Sequence, residues 1–117
     1  MNRGDDRLAT SLAFKEYMED RLRFSDGITF KRMFGEYGLF YHEKMVGVLA
    51  DNQLFIKPTE KGRELLGEVI LAKFYEQSKP YFLIEDTDAH EEIIDLIKAT
   101  YADLPAPKPK KEKNKKI

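Results

Sequence analysis

The chain has 117 residues and no cysteine, with 35% charged and 42% hydrophobic side chains. That length and balance suit one globular domain and exclude a disulfide framework, a thiolate nucleophile and a cysteine-held metal. The formal net charge of −1 divides unevenly: residues 105–117 hold six lysines and one glutamate, a charge of +5, which leaves −6 on residues 1–104.

An acidic body is poorly suited to a phosphate backbone, so polyanion binding is expected mainly of the basic tail. Residues 1–6 lead into charged helical sequence rather than an apolar run, so neither a secretory signal nor a membrane span is expected. Together with the missing cysteines, this favours the cytoplasm.

From Leu8 to about Phe24, the residues Leu8, Leu12, Phe14, Met18 and Leu22 recur at helical spacing and predict an amphipathic helix. Asp5 and Asp6, or Thr10 and Ser11, can cap its start, and Ser25-Asp26-Gly27 ends it with turn chemistry. Residues 28–31, 38–41, 45–49 and 54–57 are short β-branched and aromatic runs. Their separators are too short for parallel crossovers, so the four predicted strands form an antiparallel meander. Gly35 and Gly38 flank Glu36-Tyr37 and are expected to allow a positive φ at a bend or bulge.

Pro58-Thr59 reads as a strand exit and helix cap, followed by a short helix from Glu60 to about Leu66 that stops at Gly67. Residues 72–75 and 81–84 predict a β-hairpin. A final helix starts near Asp88, with Glu91 completing a capping box, and carries Ile93, Ile94, Ile97, Tyr101 and Leu104 on one face. The resulting fold class is α+β: N-terminal helix, four-stranded meander, short helix, hairpin and C-terminal helix, with the sheet packed against helices. It forms one domain over residues 1–104. Residues 105–117 read as a disordered Pro/Lys-rich tail with too few apolar groups to offset the entropy of ordering.

Catalytic signals are scarce. Ser11, Ser25 and Ser78 lack a nucleophile-elbow context, and no phosphate-cradling glycine loop opens a helix. The acidic run from Glu85 to Glu92 surrounds His90, but its position at a helix start favours capping and dipole compensation over metal coordination. His42 has no companion at ligand spacing. No catalytic, cofactor or metal residues are assigned, and no cofactor is expected.

The most distinctive stretch runs from Arg32 through Met33-Phe34-Gly35-Glu36-Tyr37-Gly38-Leu39-Phe40 to Tyr41, then Lys44-Met45, then residues 50–57, Ala-Asp-Asn-Gln-Leu-Phe-Ile-Lys. This pattern resembles the N-terminal domain of the TfoX/Sxy competence regulators, in order over roughly residues 11–103. The resemblance implies a small antiparallel sheet packed against helices. It departs from the complete regulators in offering only the lysine-rich tail where they carry a helical C-terminal domain, and in having Glu43 where glycine commonly precedes Lys-Met.

Three functions follow as expectations. The first is a non-enzymatic regulatory or protein-interaction module, related through the resemblance to competence or transcription. Its partner-facing surface is formed by Lys31, Arg32, Phe34, Tyr37, Tyr41 and Lys44, because arginine and aromatic side chains favour interfaces. The second is weak, nonspecific nucleic-acid binding through Lys108, Lys110, Lys111, Lys113, Lys115 and Lys116; without aromatic residues, this tail lacks a stacking platform. The third is a small enzyme built from dispersed polar residues. No membrane association is expected, and a homo-oligomer is compatible with the sequence.

Overall fold

The structure is a computed structural model that describes residues 10–23, 25–33 and 35–105. In chain order its elements are α1 (Leu12–Leu22), β1 (Ile28–Met33), β2 (Glu36–Tyr41), β3 (Lys44–Ala50), β4 (Gln53–Ile56), α2 (Glu60–Leu66), β5 (Leu71–Ala72), β6 (Tyr81–Ile84) and α3 (His90–Asp103). All six strands join one antiparallel sheet in the order β1-β2-β3-β4-β6-β5. The meander and the hairpin therefore share one sheet, with β6 inserted beside β4. This is the α+β arrangement expected from the sequence.

The tight turns follow from local chemistry. Asp51 and Asn52 adopt positive φ values of 52° and 56° between β3 and β4, a two-residue turn that suits the twist of the paired strands. Asn52 also ties that turn to the first helix: its side-chain oxygen accepts from the Ser11 backbone N–H at 2.8 Å. Ser11 itself caps α1 by accepting from Phe14 N–H at 3.1 Å. Ser11 thus resolves the choice between Thr10 and Ser11, whereas Asp5, Asp6 and Leu8 lie outside the described residues.

Gly35 takes φ 84° at the β1–β2 turn, as its position suggests. Gly38 has a different purpose from the expected one. Its φ is not positive, and a Cβ there would stand 2.8 Å from Met33 Sδ and 2.9 Å from the Phe40 ring. The irregularity in pairing lies one residue further on, between Leu39 and Phe40 opposite β3. That bulge places Val46 in the helix-side core while Met45 packs on the opposite face.

Met18 and Leu22 of α1 and Ile93, Leu96 and Ile97 of α3 cover one sheet face, against Leu39, Leu49, Leu54, Ile56 and Phe82. Thr59 caps α2 through Gly62 N–H, and Gly67 closes it, both as read from the sequence. Two further expectations need correction. The first strand of the hairpin covers Leu71–Ala72 rather than residues 72–75, because Phe74 and Tyr75 leave the ladder in a turn closed by Ser78. The capping box at Asp88 does not form: α3 begins at His90, and Ala89 supplies no side-chain cap. Asp88 instead accepts from the Tyr17 hydroxyl and from Arg21, linking α1 to the segment before α3.

Candidate functional site: a groove on the open sheet face

Side chains alternate across a strand, so a sheet covered by helices on one side must present its other residues elsewhere. Here Val48, Ala50 and Phe55 form a second apolar cluster on the far face, with Met45, Ala72, Phe74, Tyr81 and Leu83 against it. Among the described residues no helix covers this face. The β5–β6 connection does so in part.

Ser78 shapes that connection. Its hydroxyl accepts from Phe74 N–H at 3.2 Å, and its own N–H donates to the Tyr75 carbonyl at 3.0 Å. Ser78 is 8% exposed, so these bonds sit away from solvent. The resulting turn carries Phe74 back over the sheet to Phe55, with ring centroids 5.4 Å apart. Tyr75 and Tyr81 flank Phe74 edge-on, at 5.3 and 5.0 Å. Such tilted and edge-to-face pairs suit the charge distribution of aromatic rings.

Between this aromatic turn and β1–β3 lies a groove of about 480 Å³, lined by Met33, Glu36, Met45, Val48, Phe74, Tyr75 and Tyr81. Glu36 is the one charged residue in that lining. Burial alone pushes its carboxyl above the usual range, with no cation or donor opposing the shift. The Tyr81 hydroxyl is also raised, by burial and then by the neighbouring Tyr75. The wall therefore combines apolar contact area with electronegative groups.

The six residues expected to form one surface are divided by the structure. Lys31 is on the open face, its ammonium 5.0 Å from the centre of the Phe40 ring. Tyr37 belongs to the helix-side core and is 7% exposed, with Lys15 over its ring. Arg32 pairs in register with Tyr37 and is exposed at the β1 edge. Tyr41 packs edge-on against Tyr101 at 5.0 Å. Lys44 donates to the Tyr101 and Leu104 carbonyls at 2.8 and 2.6 Å, holding the end of α3. Phe34 and the six tail lysines lie outside the described residues.

The groove residues Met33, Glu36 and Met45 lie within the distinctive sequence stretch, but Phe74, Tyr75 and Tyr81 come from a segment read as an ordinary hairpin. A period-two count from Val48 and Phe55 would have marked the far face as apolar. It could not have shown that the loop returns over it.

The two histidines lie apart. His42 occupies the β2–β3 turn near Tyr41 and Tyr101, while His90 begins α3. Among the described residues, no group of three His, Asp or Glu side chains is arranged to hold a metal ion. Ser11 and Ser78 are engaged in the cap and turn already described. No helix among the described residues is long and apolar enough to cross a membrane.

These features define a two-layer α+β protein, with one sheet face sealed by helices and the other only partly closed by a loop. Comparison with known families places it further: the TfoX N-terminal domain model matches residues 20–104, and the chain belongs to that family. It is also similar to an uncharacterized 12.7 kDa protein in the trpE 5' region of Spirochaeta aurantia. The two are 39% identical over 113 residues, covering 92% of this chain and 95% of the relative.

Proposed function

We propose that this protein is a non-enzymatic regulatory module of the bacterial cytoplasm that engages a protein partner through the open face of its sheet. The observation carrying this reading is the groove between β1–β3 and the Phe74–Tyr75 turn. Methionine and aromatic side chains dominate its wall, a composition suited to adaptable contact with another chain. Tyr75 is 52% exposed despite its large apolar ring, leaving contact area available to a partner. Membership of the TfoX N-terminal domain family supports a role connected with competence or transcription.

Photo-crosslinking in the native host tests the location of the partner surface. A crosslinking residue at position 75 is expected to capture a defined partner, whereas one at Asp95, exposed on α3, is not. Met45→Glu, which places a charge in the groove wall, should abolish the position-75 product. Capture from position 95 alone, or a product from position 75 indifferent to Met45→Glu, would move the partner surface away from the groove.

A further inference from the structure

We infer that the groove selects a partner segment bearing a lysine or arginine flanked by apolar residues, with the cation received by Glu36 in the wall that Tyr75 and Tyr81 also line. This inference rests on the proposed role of the open face and adds the chemistry of its occupant. Three features of the wall converge on positive charge. Glu36 is its sole formal charge and has neither a hydrogen-bonding nor an ion-pairing partner for its carboxylate among the described residues. Phe74, Tyr75 and Tyr81 line the same groove, and a cation over the face of an aromatic ring is attracted to it. Tyr75 and Tyr81, which line the same wall, also carry hydroxyl oxygens able to accept.

The groove lining contains no lysine or arginine to neutralise Glu36 internally. Lys31 shares the open face, but its ammonium lies over Phe40 and makes no ion pair with Glu36. Phe40 thus already receives a cation on this face in the manner inferred for the tyrosines. Met33, Met45 and Val48 provide the complementary floor for an apolar flank. A neutral apolar segment would cover this floor but leave the Glu36 carboxylate desolvated and unpaired, which disfavours such an occupant.

Selection of phage-displayed random twelve-residue peptides on the full chain at physiological salt tests the inference. Parallel selections use Glu36→Gln and Glu68→Gln, the latter removing an exposed carboxylate outside the groove. The wild type and Glu68→Gln should enrich lysine or arginine beside apolar residues, whereas Glu36→Gln should not. A selected peptide should bind about tenfold more weakly to Glu36→Gln and to Tyr75→Leu, as should a version with norleucine replacing its lysine. Tyr75 is half exposed, so its variant preserves a test if folding limits the Glu36 substitution.

Methyl NMR of Met33 and Met45 separates the outcomes. Peptides that shift these methyls but lack cationic enrichment, or bind Glu36→Gln equally well, overturn the charge selection while leaving the open face as the binding surface. Peptides that leave both methyls unmoved overturn the inference and the proposed location together.

Discussion

Two carboxylates show how the same functional group can be set to opposite purposes. Asp88 accepts from the Tyr17 hydroxyl and lies beside Arg21; that hydrogen bond first, and then the guanidinium, hold its carboxyl below the usual carboxylate value. The folded protein therefore favours ionised Asp88. Its stabilising contribution is complete above the unfolded value of about 3.9 and is lost as pH falls through the lower folded value. Asp88→Asn should lower the urea midpoint at pH 7, with the difference from wild type closing as the pH drops below about 4. A constant difference would show that the carboxylate charge is not responsible.

Glu36 behaves in reverse. Burial raises its carboxyl, so folding opposes ionisation relative to the unfolded chain, and stability falls as pH rises through the raised value. Glu36→Gln should leave the melting temperature at pH 7 unchanged or higher while weakening peptide binding. A clear fall in melting temperature would assign Glu36 a structural role that burial alone does not explain.

Elements reveal a division between what local sequence specifies and what tertiary packing decides. Thr59 and Gly67 marked both ends of α2, because a side-chain cap and a positive-φ terminus are local requirements. The expected Asp88 cap of α3 failed because Asp88 is drawn to Tyr17 and Arg21, partners 71 and 67 residues away. The same limit concealed the groove: Ser78 bends the β5–β6 connection over a sheet whose far face exists only after six strands have paired. The expected apolar face of α3 included Ile93 and Ile97 but missed Leu96 and Thr100, both buried. Thr100 enters the interior because its hydroxyl donates to the Leu96 carbonyl at 2.7 Å within the helix.

Two substitutions test this packing. Ile97 is fully buried in the helix-side core, so Ile97→Ala should cost about 2–5 kcal/mol in chemical denaturation. Lys44→Met retains much of the apolar stem but removes the ammonium that donates to two carbonyls at the end of α3. It should cost about 1–2 kcal/mol, with faster hydrogen exchange near residues 100–104. An unchanged denaturation midpoint would indicate that water replaces this cap without loss.

At the scale of the whole molecule, the contrast between acidic body and basic tail gives a separate expectation. Any duplex-DNA binding should depend on residues 105–117 and remain indifferent to base sequence, because dispersed lysines contact phosphates without reading base edges. With six tail lysines available, the log–log salt dependence should be no steeper than about −5. Salt titrations of the full chain and a version ending at Leu104 provide the measurement. Sequence-selective binding by the shorter version would reveal a recognition surface on the body.

The return of the β5–β6 connection over the sheet also bears on how this scaffold can diversify. Phe74 and Tyr75 shape the groove from outside the regular ladder, while the helix-side core is built from other residues. Under the proposed role of the open face, changes in this short segment would alter which partner surface fits while retaining the strand pairings and helix contacts that establish the fold. Provided that Ser78 keeps the turn closed, substitutions at Phe74 and Tyr75 would reshape the groove wall while leaving the helix-side core in place. The scaffold thus lets this part of the groove wall vary apart from the core beneath the helices.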